Sequence, residues 1–315
     1  MNKILYIVMP VYNEEEIIED SIGVVSEKIK SLVRKKKVSK DSKLVIIDDG
    51  SIDNTLNIIK NIKKRNKYLS IIKLAHNKGH QIAMYCGYME SVKYADMVIS
   101  MDADLQDDIN VIDSMIDEYY SGSDIVYGVR NNRDTDTWFK RNSATLFYKF
   151  MKFLGIDIIV NHADYRLMSK RSLEALSKYE ESNLFLRGII PSIGYKSSKV
   201  YYKRLERSGG VSKYGLRDMI GLAVDGVTSF SVRPIRLIIN IGFILSIISF
   251  IYLMYVIISQ LSGADTVRGW SSLAALISFF GSFQIFCIGV IGEYISKIYI
   301  ESKHRPKYII EEVIK

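Results

Sequence analysis

Short runs that are apolar at nearly every position alternate, through most of the chain, with longer stretches whose apolar residues recur at helical spacing. Ile4–Val11, Leu44–Ile47, Leu69–Leu74, Met97–Met101 and Asp124–Val129 are of the first kind and predict buried strands. Ile17–Val33, Thr55–Lys64, Gln81–Lys93 and Ile109–Tyr120 are of the second kind and predict helices. Strands alternating with helices imply an α/β fold with a largely parallel sheet covered on both faces. The basic run Arg34–Lys43 reads as a solvated connection, and no internal repeat interrupts the pattern.

The rhythm stops at Pro234. Beyond it lie two segments apolar on every face: Leu237–Ile258, interrupted by Asn240, and Leu273–Ile291, interrupted by Gln284. Each has about 20 residues, which at roughly 1.5 Å per residue crosses a hydrocarbon core of about 30 Å. A core helix pair would keep a polar face, so two transmembrane helices are expected. The connection Gln260–Trp270 carries one Asp and one Arg, whereas Arg233 and Arg236 precede the first segment and Lys297, Lys303, Arg305 and Lys307 follow the second. Lys and Arg concentrate on cytoplasmic flanks, so a multi-pass protein of the cell membrane is expected, with its N-terminal domain in the cytoplasm. Tyr252, Tyr255 and Trp270 are candidate anchors at the far interface. Gly215–Ser231 places Leu216, Met219, Ile220, Leu222 and Ala223 at helical spacing and reads as a helix lying in the membrane interface. The expected division is a cytoplasmic domain over 1–214, a juxtamembrane amphipathic helix over 215–234, a two-helix hairpin over 235–299 and a cytoplasmic tail over 300–315.

Composition adds constraints. A chain of 315 residues, 48% hydrophobic, can bury one large core or two modest ones. The net charge of +8 suits phosphorylated ligands, an anionic membrane or nucleic acid, without choosing between them. Nucleic acid fits neither the apolar spans nor the acidic strand ends. Two cysteines, Cys86 in the polar part and Cys287 in an apolar run, argue against a disulfide framework and for a reducing compartment. Ile4–Pro10 behind Lys3 imitates a signal peptide, but Glu14, Glu15 and Glu16 follow with no small-residue cleavage site, so a buried strand is expected.

Three acidic clusters stand at strand ends, where open parallel sheets bind ligands: Met9-Pro10-Val11-Tyr12-Asn13-Glu14, Asp48-Asp49-Gly50-Ser51-Ile52-Asp53, and Asp102-Ala103-Asp104-Leu105-Gln106-Asp107. A carboxylate ending the second strand can accept hydrogen bonds from a ribose or a uracil N–H. A further carboxylate pair can hold a hard divalent cation that also binds a pyrophosphate. A nucleotide diphosphate leaving group calls for such a cation, because it departs with added negative charge. Asp134-Thr135-Asp136 repeats the Asp-x-Asp spacing, but it lies behind Arg130, Asn131, Asn132 and Arg133 rather than behind an apolar strand. Asp102 and Asp104 are therefore the favoured metal site. Asp48 has two readings, a turn cap or a nucleotide contact. Asp53, before Asn54-Thr55, reads as part of a helix cap, and His80 as a structural neighbour of the site.

With Asn77-Lys78-Gly79-His80, Tyr127-Gly128-Val129-Arg130, Phe139-Lys140-Arg141 and Asp164-Tyr165-Arg166-Leu167-Met168, these stretches resemble the family 2 glycosyltransferases of the GT-A fold. The resembling branch acts on polyprenyl phosphates; it includes bactoprenol glucosyl transferases and, more distantly, dolichyl-phosphate mannose synthases. The resemblance implies a Rossmann-like, mostly parallel GT-A sheet, then the interfacial helix and two C-terminal transmembrane helices. It implies that Pro10, Tyr12, Glu14 and Asp49 line the nucleotide pocket, with Asp102 on the ribose and phosphate side. Asp104 would be the direct ligand of Mg²⁺ or Mn²⁺, with Gln106 beside it. Asp164 matches the residue taken as catalytic base, and Arg166 would reach a phosphate. Arg130 and Arg141 resemble phosphate-contacting arginines. Arg204, Arg207 and Lys213 match a loop that closes over the donor, although the two arginines also read as membrane-surface charges.

Two departures stand out: Asp107-Asp108-Ile109 where the family often has proline, and Asp-Tyr-Arg where Asp-Phe-Arg is usual. The extra Asp108 leaves the metal-ligand set less sharply drawn. The resemblance implies inverting, metal-dependent transfer of a hexose, foremost glucose from UDP-glucose, giving a lipid-linked sugar for cell-envelope glycans. GDP-mannose, UDP-N-acetylglucosamine and UDP-galactose are alternative donors. The Lys- and Ile-rich, proline-poor composition is compatible with a bacterium of low genomic G+C content, which makes undecaprenyl phosphate the expected acceptor. A processive synthase would carry a Gln-x-x-Arg-Trp motif, which is absent. An inactive membrane scaffold fits poorly with intact Asp49, Asp102, Asp104 and Asp164. Implied partners are the lipid bilayer, a second to fourth copy in a homotetramer, a glycolipid flippase and a downstream glycosyltransferase.

Overall fold

The computed structural model describes residues 2–131, 162–181, 184–203, 233–261 and 269–315. Arg141, Arg204, Arg207, Lys213, the Asp134–Asp136 repeat and the Gly215–Ser231 stretch lie outside the described residues. The chain divides into a sheet-bearing unit, which includes residues 305–315, and a helical unit over 217–304 with 150–156.

All nine elements expected before the spans form, with ends shifted by a residue or two. They are β1 (Leu5–Val11), α1 (Ile18–Arg34), β2 (Lys43–Asp48), α2 (Thr55–Lys63), β3 (Leu69–Leu74), α3 (His80–Ser91), β4 (Met97–Ser100), α4 (Val111–Tyr120) and β5 (Ile125–Arg130). Then follow β6 (His162–Ser169), α5 (Lys170–Leu176), α6 (Leu186–Ser192), β7 (Ser197–Tyr202), α7 (Arg233–Leu261), α8 (Trp270–Ser302) and β8 (Ile310–Ile314).

The strands make one eight-stranded sheet in the order β7-β5-β6-β4-β1-β2-β3-β8. The pairs β1/β2, β1/β4, β2/β3 and β5/β7 are parallel, as the alternating pattern predicts. β6 runs antiparallel to both β4 and β5, and β8 antiparallel to β3, so the sheet is mixed rather than parallel throughout. Residues alternate faces along a strand. Leu5, Ile7, Met9 and Val11 of β1 pack with Ile18, Ile22, Val25, Ile29 and Leu32 of α1 in the main core. Ile7 stands in register with Leu44 and Ile99, which continue the same apolar layer across β2 and β4. Each such side chain, fully buried, contributes about 1.5–3 kcal/mol.

The opposite face carries α3, and Gly87 sets its distance. A Cβ there would lie 2.2 Å from Val8 Cγ1 and 3.1 Å from Ile47 Cγ1, so only glycine lets the helix lie this close to β1 and β2. This close seat brings the first turn of α3 to the strand ends. Gly128 does the same where β5 meets β6: a Cβ would lie 2.9 Å from the Tyr165 carbonyl oxygen.

Residues 310–314, expected within a tail, instead close the β3 edge. Lys60 and Lys73 pair with Glu312 and Glu311 at 2.6 and 2.8 Å, and Lys307 Nζ donates to the Tyr179 carbonyl at 2.8 Å while lying over the Tyr85 ring. An added strand hides the row of unpaired backbone groups that an open edge would present.

In the helical unit, α7 and α8 contain the two expected spans as continuous helices. Large apolar side chains stay exposed along both, among them Ile239, Phe243 and Ile251 on α7 and Ile277, Ile285 and Ile288 on α8. Among the described residues one stretch, Phe283–Ser302, is long and apolar enough by length and composition to cross a membrane.

Candidate active site at the strand ends

The ends of β1 and β2 are stitched into one rim. Asn13, in the left-handed region at φ 52°, donates its N–H to Ser51 Oγ, and its side-chain oxygen accepts from the Ile52 N–H. The Glu14 N–H donates to Thr55 Oγ1. The Asp53 carboxylate accepts from the Thr55 and Glu15 amides, so the expected cap also ties the two loops together. Tyr12 and Glu14 reach the surface of this rim, and Pro10 is buried in β1 in register with Ile47.

Asp49, 2% exposed, spends both carboxylate oxygens on backbone: Oδ1 accepts from the Lys78 N–H and Oδ2 from the Gly79 N–H, each at 2.8 Å. It thereby shapes the turn that enters α3. Gly50 completes this junction at φ 72°, where a Cβ would lie 2.8 Å from the Asn77 nitrogen. Burial raises the Asp49 carboxyl above its ordinary range, partly offset by those two amides. Asp48 is fully buried; one oxygen accepts from the Ser51 N–H, at 3.3 Å, and burial raises its carboxyl as well. The turn-cap reading is therefore the one its contacts support.

The turn that Asp49 shapes delivers His80, whose Nε2 is 3.0 Å from Asp102 Oδ1. Burial pulls the imidazole down, but the hydrogen bond and charge of Asp102, with the charge of Asp164, lift it above its ordinary value. Asp104 follows at the same strand end, its Oδ1 accepting from the Gln106 N–H, with Leu105 between them at φ 51°. Gln106 is 8% exposed and faces inward. Asp102 and Asp104 are both partly exposed, and among the described residues no third His, Cys, Asp or Glu closes a metal cluster around them. Two hard oxygen donors with open positions fit Mg²⁺ or Mn²⁺ whose remaining ligands are water or diphosphate oxygens.

On the neighbouring β6, Asp164 is gripped from two sides. Arg166 bonds its Oδ1 from within the sheet. Arg187, from α6, reaches Oδ1 with Nε at 3.3 Å and Oδ2 with Nη2 at 2.9 Å. Burial would raise the Asp164 carboxyl, but Arg187 and Arg166 outweigh it and hold the group well below the usual carboxylate range. Arg166 is 1% exposed, and the partner it meets is Asp164. Arg187 was not legible as a site residue; its only sequence signal is a lone charge among the apolar residues Phe185, Leu186 and Ile189.

Arg130 is likewise committed. Its Nη2 donates to Asp107 Oδ1 at 2.9 Å and its Nε to the Tyr202 hydroxyl at 3.3 Å, while that hydroxyl donates to the same Asp107 oxygen. Asp107 is 3% exposed, so this is an internal brace from β5 and β7 to the Asp102–Gln106 loop. Of the described site residues, Tyr12 and Glu14 lie on the rim, Asp49, His80, Asp102, Asp104 and Asp164 with its arginines lie along the strand ends, Pro10 and Gln106 are buried, and Arg130 is paired with Asp107.

Residues 6–177 match the sequence profile described as "Glycosyl transferase family 2", and residues 233–298 match "GtrB C-terminal hairpin". The chain is 48% identical to an uncharacterized glycosyltransferase, YkoT, of Bacillus subtilis, over 98% of this chain and 91% of the relative. It is 39% identical to the bactoprenol glucosyl transferase of Shigella phage SfV, over 97% of each. A solved glucosyl-3-phosphoglycerate synthase from Mycobacterium tuberculosis aligns with 72% of this chain and 76% of its own at 15% identity and a TM-score of 0.47, a likeness that says nothing of ligands here. With the acidic strand ends in place and a profile match over more than half its length, the chain belongs to glycosyl transferase family 2.

Proposed function

We propose that this glycosyltransferase moves a hexose from a nucleotide-sugar to the phosphate of a polyprenyl lipid, at the cytoplasmic face of a membrane in which α7 and α8 form a two-helix hairpin. The observation that carries the reading is the union, in one chain, of the strand-end pair Asp102 and Asp104 with a C-terminal hairpin whose apolar side chains lie exposed. Exposed apolar surface on that scale calls for lipid or a partner. The near full-length likeness to a bactoprenol glucosyl transferase supports a lipid phosphate as acceptor.

The chemistry follows from the reactants. A phosphate monoester loses its second proton near pH ~6, so at neutral pH its oxygen is already a nucleophile. The work left to the protein is to hold that oxygen in line with the anomeric carbon and to stabilise the departing diphosphate. Asp102 and Asp104 would hold a divalent cation that neutralises charge on that leaving group. The rim of Tyr12 and Glu14 offers a stacking ring and an acceptor to a nucleoside, while Asp49 fixes the α3 entry turn beneath it. In-line displacement inverts the sugar, so an α-linked donor gives a β-linked lipid. Glucose from UDP-glucose and undecaprenyl phosphate are the proposed pair.

The test is to incubate the full chain in detergent with undecaprenyl phosphate, Mg²⁺ or Mn²⁺, and a panel of UDP-glucose, UDP-galactose, UDP-N-acetylglucosamine and GDP-mannose. One new glycolipid mass, absent when the cation is chelated, is the expected result. No glycolipid from any donor with folded protein would overturn it, and GDP-mannose as the productive donor would replace the glucosyl reading with a mannosyl one.

A further inference from the structure

Among the carboxylates at the strand ends, Asp102 is held differently from its neighbours. Asp49 accepts from backbone amides with both oxygens, Asp107 meets Arg130 and the Tyr202 hydroxyl, and Asp164 lies between Arg166 and Arg187. Asp102 meets an imidazole: its Oδ1 is 3.0 Å from His80 Nε2, and its Oδ2 accepts no hydrogen bond among the described residues. An ionised carboxylate offers only acceptors, so the hydrogen of this bond belongs to Nε2. A guanidinium cancels the charge of its partner permanently, whereas an imidazole can donate while neutral. The contact therefore fixes one oxygen of Asp102 and leaves the other open to a cation.

His80 itself is firmly mounted. Just before it, Asp49 grips the Lys78 and Gly79 amides, and Gly79 leads into α3 at φ 87°. Just after it, Gln81 Oε1 accepts from the Leu186 N–H at 2.9 Å, which ties the first turn of α3 to α6. Further along, Gly87 lets the same helix rest on Val8 and Ile47. The bond from His80 to Asp102 does little for the fold in return. The two side chains are 35% and 36% exposed, and a solvent-facing pair of this kind adds little stability. A contact so firmly mounted and of so little use to packing is best explained by the site it faces.

We infer that His80 is the positioning residue of the divalent cation: its Nε2–H orients the Asp102 carboxylate and keeps the second oxygen available to the metal. This rests on the reading above that Asp102 and Asp104 hold Mg²⁺ or Mn²⁺. Hydrogen bonds that orient a metal ligand from behind strengthen metal binding about 10–100-fold.

The experiment uses the full chain in detergent, saturated with the nucleoside diphosphate of the productive donor, with Mn²⁺ as the probe and free Mn²⁺ read by electron paramagnetic resonance. His80→Ala is expected to weaken Mn²⁺ binding about 10-fold, with a melting temperature near wild type. His80→Gln, whose amide N–H can replace the Nε2 donor, should bind Mn²⁺ within about threefold of wild type. In turnover, the His80→Ala defect should be a raised Mn²⁺ requirement that saturating Mn²⁺ overcomes, with the acceptor KM unchanged. A Mn²⁺ affinity for His80→Ala within about twofold of wild type overturns the inference. So does turnover that stays low at saturating Mn²⁺, because His80 would then act on the substrate rather than through the cation. His80→Gln as weak as His80→Ala also overturns it, since the hydrogen-bond donor would not be what matters. Should His80→Ala fail to fold, His80→Leu is read by the same criteria. A wild-type chain that binds no Mn²⁺ overturns the metal reading itself and this inference with it, a result seen before any variant is compared.

Discussion

Replacing Arg130 by methionine separates a structural brace from a substrate contact. The side chain is 26% exposed and its partner Asp107 is 3% exposed. Without Arg130, the Asp107 carboxylate keeps the Tyr202 hydroxyl and loses its ion pair. Breaking a fully buried pair from one side costs about 3–5 kcal/mol; partial exposure of Arg130 lowers this to about 2–3 kcal/mol. For a domain of this size that is a melting temperature lower by roughly 5–10 °C. Thermal unfolding of the purified chain, followed by intrinsic fluorescence, reads the shift. Adding Asp107→Asn to Arg130→Met should restore more than half of it, because the stranded charge is gone. A variant that melts within about 2 °C of wild type while its substrate KM rises would refute the brace and return Arg130 to phosphate binding.

Other outcomes follow from the same geometry. Asp164 has a folded-state pKa below its unfolded value of about 3.9, so its stabilisation is present above that value and is lost as pH falls through the folded one. The destabilisation caused by Asp164→Asn, measured by urea unfolding, should therefore be full at pH 7 and shrink below pH ~4; a constant difference would contradict the ion-pair account. Cys86 is fully buried, and burial pushes its thiol up to about 12. It should resist iodoacetamide in the folded chain at pH 8, and removing residues 306–315, which include its hydrogen-bond partner Tyr308, should expose it; equal labelling of both chains would show that the β8 segment does not cover it. Gly50→Ala forces a Cβ to 2.8 Å from Asn77 N at a positive φ, at a cost of about 1–3 kcal/mol. It should weaken nucleotide binding in calorimetry more than a surface substitution does, and unchanged affinity would detach this turn from the donor site.

The strands β1 to β5 were legible because a doubly buried strand must be apolar at nearly every position, and Ile4–Val11 or Leu69–Leu74 have no other reading. β6, β7 and β8 were not. His162–Ser169 mixes charge with apolar residues because Asp164 and Arg166 are paired inside the sheet, and Ile310–Ile314 holds two glutamates because an edge strand tolerates them. The acidic motifs located the site, since carboxylates at strand ends serve little purpose in packing. They could not say which carboxylate would be spent internally. Asp49 is consumed by two backbone amides, and Arg130 by Asp107, through partners 29 to 30 and 23 residues away. Such pairings are set by the fold, and Arg187 with them. Local sequence does not encode them.

The most direct test of the central claim is acceptor dependence. Nucleotide release from the productive donor is measured with undecaprenyl phosphate and with undecaprenol, which differs only in lacking the phosphate. Release that requires the phosphate and matches glycolipid formation mole for mole is the expected result. Equal release with the alcohol, or with no lipid, would contradict the assignment of the lipid phosphate as the nucleophile.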